Sequence, residues 1–154
     1  MDGKQRIISA LNRQPVDRTP VWFMRQAGRH LPEYRKIAAE HNFWERCMDV
    51  DLCKTITLQP IERYQKIDAA IIFSDILTPL PSLGYDVEYG GGIRISEFSL
   101  YDVDDWTKFN ARKHAPWAAD GLQAVGEEVG DSVARLGFVG CLLYTSPSPR
   151  DNTT

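Results

Sequence analysis

Asp-Ala-Ala-Ile-Ile-Phe-Ser-Asp, residues 68–75, is an unbroken apolar run of strand length that ends in two polar residues. A run without alternation belongs to a strand covered on both faces, as in a parallel sheet. Upstream, residues 19–24 (TPVWFM) form a second β-branched and aromatic run, readable as a buried strand that stops at Arg25. Helical sequence fills residues 33–65 between them, with Cys53, Ile56, Thr57, Pro60, Ile61 and Tyr64 at helical spacing. Asp49 is placed to cap the second part of that region, and Pro60 is expected to kink or break it. Further upstream, Ile7, Ile8 and Leu11 give a short helical stripe that Pro15 ends. Downstream, residues 79–99 are rich in turn formers and contain Gly90, Gly91 and Gly92 before the alternating IRIS, which reads as an excursion with a β-hairpin. Ala118, Leu122, Val125 and Val129 mark another amphipathic helix, and residues 135–140 (RLGFVG) a third short strand.

The order strand, helix, strand, excursion and helix, strand is that of βα units around a parallel sheet. A doubly wound sheet and a (β/α)8 barrel both satisfy it. In either, ligands gather at the carboxyl ends of the strands. The first two strands end at Arg25 and Asp75, so both groups are expected at one pocket mouth.

Composition bounds the function classes. The chain has 154 residues, 43% of them hydrophobic and 25% charged, with net charge −3. That is an ordinary globular balance, with no bulk basicity pointing to nucleic acid or an anionic membrane. No apolar run reaches membrane-spanning length, and residues 1–15 lack the apolar core of a secretory signal. Cys47, Cys53 and Cys141 form no CxxC pair and leave one over, which fits a reducing compartment better than a disulfide or zinc framework. A cytoplasmic protein is the expectation.

Arg25 and Arg29 flank Gln26, Ala27 and Gly28. A guanidinium presents forked donors that match a carboxylate in pairs, and a glycine lets the backbone turn tightly beside a ligand. Two such forks on one loop suit a ligand with several carboxylates, or a phosphate. They equally suit pairing with Glu33, Asp17 or helix carbonyls. Asp75 could act as base, metal ligand or cation stabiliser, or could simply cap the segment that follows. His30, His41 and His114 show no metal-binding spacing and read as surface or loop residues. The glycine triplet lacks the Lys-Ser/Thr and helix of a phosphate loop.

Residues 19–35 read TPVWFMRQAGRHLPEYR, residues 57–64 TLQPIERY, and residues 68–77 DAAIIFSDIL. In this order and spacing they resemble the uroporphyrinogen decarboxylase family, over roughly residues 5–140 and under half of a full member. The resemblance implies a (β/α)8 barrel, a homodimer, and no metal or organic cofactor. It implies removal of the four acetate carboxyls of uroporphyrinogen as CO2, giving coproporphyrinogen in haem and tetrapyrrole synthesis. Carried over by position, Arg25, Gln26, Ala27, Gly28 and Arg29 contact substrate, with Arg25 and Arg29 on its carboxylates. Asp75 accepts hydrogen bonds from the pyrrole N–H groups. Decarboxylation first protonates a pyrrole carbon and spreads positive charge over the ring, which a fixed carboxylate stabilises most in the transition state.

Residues 141–154 (CLLYTSPSPRDNTT) depart from the family pattern, because Ser-Pro-Ser-Pro cannot form the helix expected there. The expected division is therefore a barrel-like part, 1–140, and a divergent tail, 141–154, foreign to a truncated gene. Two alternatives differ in kind. One is a non-catalytic fragment that binds anions or porphyrins. The other is a related zinc-dependent methyltransferase barrel, which the lack of a Cys/His ligand pair disfavours.

Overall fold

The computed structural model describes residues 1–82, 85–89, 92–95 and 110–137. Gly90, Gly91, residues 138–140 of the expected third strand, Cys141 and the tail 141–154 lie outside the described residues, as does the side chain of His114.

The apolar run at 68–73 contains β1 (Ala69–Ile71), which pairs in parallel with β4 (Ala134–Leu136). Ala69 faces Ala134 and Ile71 faces Leu136. The ladder extends through Ala134 N–H to Asp68 O (2.8 Å) and Ile72 N–H to Leu136 O (3.0 Å). Ala69, Ala70 and Ile72 are buried, as expected of a strand covered on both faces. The third strand thus starts one residue earlier than its sequence pattern indicates.

Residues 19–24 differ from expectation. They lie along the other edge of β1, where Val21 O accepts from Asp68 N–H (2.8 Å), yet they form no strand. The donors of a ladder are absent or diverted. Pro20 has no N–H, Val21 N–H donates to the Asp68 carboxylate (2.8 Å), and Phe23 N–H donates to Gln26 Oε1 (3.3 Å).

The helical region resolves into α2 (Pro32–Glu40), α3 (Phe43–Met48) and α4 (Val50–Tyr64). Two caps divide it. Asn42 and Glu45 form a reciprocal capping box, and Asp49 accepts from Leu52 N–H (2.9 Å). α4 continues through Pro60, so the expected break does not occur. Its Cys53 and Leu58 pack with Ile72 and with Val125 of α7 (Pro116–Val129). At Gly121 a Cβ would lie only 3.2 Å from Cys53 Sγ, which is how closely α7 approaches α4. A second cluster joins Leu31, Tyr34 and Ile56, and Phe73 packs against both.

α1 (Gly3–Leu11) buries Gly3, Arg6 and Ser9, whereas Ile8 and Leu11 of the apolar stripe are exposed. Two short helices, α5 (Pro79–Ser82) and α6 (Ala111–His114), flank the excursion. Within it, β2 (Val87–Tyr89) and β3 (Ile93–Ile95) form the expected antiparallel hairpin. No helix among the described residues is long and apolar enough to cross a membrane.

Candidate functional site

The loop after residue 23 is held by the side chain nearest its centre. Gln26 is 4% exposed, and its Nε2 donates to Ala69 O (2.9 Å) while its Oε1 receives Phe23 N–H. This fixes the loop to β1. Gly28 follows at φ +123°, a conformation L side chains rarely adopt, with open space where a Cβ would be. Leu31 N–H then closes the turn on Gly28 O (2.9 Å), and Leu31 is buried. Arg25 and Arg29 are thereby presented on a fixed turn, both exposed.

Neither guanidinium has a hydrogen bond or ion pair among the described residues. The acids that could have neutralised them are engaged elsewhere. Glu33 makes a two-pronged pair with Arg63 (2.7 and 2.7 Å), which with its own backbone hydrogen bond holds its carboxyl down to about 2. Asp17 pairs with Arg6 (2.6 and 2.8 Å), which holds it well below the carboxylate range.

Asp75 follows β1 by a pinned path. Thr57 Oγ1 accepts Phe73 N–H (2.9 Å), and Cys53 Sγ donates to Phe73 O (3.2 Å). Asp75 Oδ1 then accepts Leu77 N–H (2.7 Å), so the carboxylate does cap the turn after it. Its charge also reaches inward. Burial, and then the nearby Asp75 carboxylate, push the Tyr89 hydroxyl well above its ordinary range, although no hydrogen bond joins the two and the hydroxyl is buried without a partner. Burial raises the Cys47 thiol to about 12, with Cys53 and Asp75 adding to it, and raises Cys53 to about 11.

The expected convergence is only partial. Arg25 opens onto a hollow of about 500 Å³ with Phe23, Met24, Gln26, His30 and Tyr64. Arg29 opens onto a different one, of about 670 Å³, with Tyr34, Phe43, Arg46 and Tyr89. Asp75 lines neither, and meets the second only through Tyr89. The reason is the missing first strand: Arg25 sits in a turn rather than at a strand end. His30 contacts the Tyr64 hydroxyl (3.1 Å), and His41 caps α2. No group of three or more His, Cys, Asp or Glu among the described residues could hold a metal ion.

Sequence reading missed two features. One is Asp68, 1% exposed, whose carboxylate receives Arg6, a two-pronged Arg18 (2.7 and 2.8 Å) and Val21 N–H. Burial would raise its pKa, but Arg18, Val21 N–H and Arg6 together lower it. The other is the Arg46 hollow, whose residues come from separate elements. Only the Asn42–Arg46 spacing, a helical i,i+4 pair, hinted at any of it.

The uroporphyrinogen decarboxylase family model matches residues 2–143. Among curated relatives, the uroporphyrinogen decarboxylase of Anaeromyxobacter sp. (strain Fw109-5) is 39% identical over 145 residues, covering 88% of this chain and 42% of its own length. Those of Pseudomonas paraeruginosa (41% over 140 residues) and Chromohalobacter salexigens (43% over 141) each cover 88% of this chain and 39% of their own length. This chain therefore spans about two fifths of the relatives it matches. The chain belongs to the uroporphyrinogen decarboxylase family.

Proposed function

We propose that this chain carries the N-terminal substrate-binding part of a uroporphyrinogen decarboxylase, an enzyme that removes acetate carboxyls from uroporphyrinogen as CO2. The observation that carries the reading is the pair of unpaired guanidiniums, Arg25 and Arg29, on a fixed turn whose neighbouring acids are already taken. Beside Arg25, Phe23 and Met24 are 62% and 75% exposed, an apolar surface next to a cation. A flat macrocycle rimmed with carboxylates has that same pairing of properties. Asp75 holds the turn with Oδ1, and its carboxylate is the acceptor offered to the pyrrole N–H groups.

In this reading the parallel β1–β4 pair belongs to a (β/α)8 barrel, and the working protein is a cytoplasmic homodimer that needs no metal or organic cofactor. Residues 141–154 are foreign to it. The family match gives out at residue 143, close to that boundary. Sequencing the native transcript past Gly140 tests this, and a native product ending at Thr154 contradicts it.

CO2 release from uroporphyrinogen under anaerobic conditions tests the activity. The proteins are this chain and a chimera in which residues 1–140 replace the matching segment of the Pseudomonas paraeruginosa relative. Turnover by the chimera is expected, and its absence in a folded chimera contradicts the reading.

A further inference from the structure

Arg46 is 9% exposed and has no carboxylate within ion-pairing distance among the described residues. Its Nε donates to Asn42 O (3.0 Å) and its Nη1 to the Tyr34 hydroxyl (2.5 Å). The guanidinium carbon lies 5.3 Å from the Tyr34 ring centre and 5.8 Å from that of Phe43. Ring faces stabilise a cation without neutralising it. A buried, unneutralised charge is costly, and such charges are normally paired. Here the remaining nitrogen, Nη2, has no partner among the described residues, and Arg46 lines the 670 Å³ hollow onto which Arg29 opens.

Of the polar groups lining that hollow, Asn42 Oδ1 is taken by Glu45 N–H (3.0 Å) and His41 lies beside the Glu45 carboxylate (3.7 Å), which leaves Arg29, Arg46 and Tyr34 as donors. Arg29 offers a free fork and Arg46 offers Nη2. Tyr34, having accepted from Arg46, still has its own O–H to give. We propose that Arg46, with Arg29 and Tyr34, forms a second anion site that takes one aliphatic carboxylate arm of a polycarboxylate ligand. A carboxylate is acceptor-only and takes up to about four hydrogen bonds, which matches this donor set. The Tyr89 ring also lines the site. The proposal deepens the polycarboxylate reading above and rests on it for the identity of the ligand.

The test uses the 154-residue chain with two probes, propane-1,2,3-tricarboxylate and uroporphyrin. Binding is followed by tryptophan fluorescence and by the thermal midpoint, against chloride at matched ionic strength. Arg46→Met fills the same space without charge. It is expected to weaken tricarboxylate binding by about tenfold to a hundredfold, the equivalent of losing a charge-assisted hydrogen bond. The probe-free midpoint is expected to stay level or rise, because an unpaired buried cation has gone. A lowered midpoint with unchanged probe affinity overturns the proposal and makes Arg46 structural. Should Arg46→Met not fold, Arg46→Lys decides, since it keeps the charge and loses the fork: weakened binding supports the site, and unchanged binding overturns it. Uroporphyrin bound equally by wild type and Arg46→Met sinks this site but leaves the tetrapyrrole reading standing. Arg46-dependent tricarboxylate binding with no uroporphyrin binding does the reverse.

Discussion

The two ends of β1 use charge in opposite ways. At its start, Asp68 is enclosed and every donor aimed at it is spent: Arg6, both prongs of Arg18, and Val21 N–H. At its far end, Asp75 is only partly enclosed, caps one turn with a single oxygen, and has in the neighbouring loop two arginines unpaired among the described residues. A saturated carboxylate ties chain segments together, here α1, the residue 17–21 segment and β1. Unsaturated charges at a fixed position wait for something outside the chain. The contrast separates residues that hold this fold from residues proposed to bind, and each half can be broken independently.

The largest effect is expected at the saturated end. Asp68→Asn leaves two arginines facing a neutral amide, and breaking a buried pair in this way typically costs ~3–5 kcal/mol. Arg18, which supplies two of its bonds, is half-exposed, so solvent screening places the loss at about 3 kcal/mol or below. Urea unfolding of the variant beside wild type measures it. At the open end, Asp75→Asn keeps the Oδ1 cap, so the chimera should fold as before. Its turnover should fall by about 100-fold or more, the usual loss for one preorganised electrostatic group. Arg25→Gln and Arg29→Gln break no internal pair, so they should weaken uroporphyrin binding, read by fluorescence titration, at an unchanged thermal midpoint.

Acid should act on the saturated end first. Asp68 and Asp17, joined through Arg6, both have folded pKa values below their ordinary ones. Their stabilisation is therefore complete above the unfolded carboxyl values near ~4 and is lost as pH falls from there through the folded values. Unfolding midpoints measured between those limits should fall steeply in wild type and less steeply in Asp68→Asn. The smallest effect belongs to Arg63→Gln. The Arg63–Glu33 pair is exposed enough for salt to screen it, and its removal should not shift the midpoint measurably at physiological ionic strength.

What could be read from sequence follows the range of the interaction. DAAIIF announced a parallel strand because burial on both faces is written in the residues themselves, and β1 with β4 confirms the pairing. The hairpin and the α4 cap at Asp49 were equally local. TPVWFM was misread as a strand because its ladder donors go to Asp68 and Gln26, choices that only the assembled loop reveals. In α1 the apolar stripe pointed the wrong way. Arg6 is buried because a carboxylate sixty-two residues later receives it, and no helical periodicity encodes that. The same limit hid the Arg46 hollow. Its members come from the Gly28 loop, α2, α3 and the hairpin, and nothing local marks Tyr89 as their neighbour. The residue pattern marked Arg25, Arg29 and Asp75 as candidates and the family resemblance gave them roles, whereas the fold distributed the two arginines over separate hollows.

The most direct test sets Asp68→Asn and Asp75→Asn side by side in the chimera, with unfolding midpoint and anaerobic CO2 release from uroporphyrinogen measured on each. Asp68→Asn is expected to lower the midpoint. Asp75→Asn is expected to keep a wild-type midpoint with turnover reduced by about 100-fold or more. Wild-type turnover in Asp75→Asn would contradict the proposed role of Asp75.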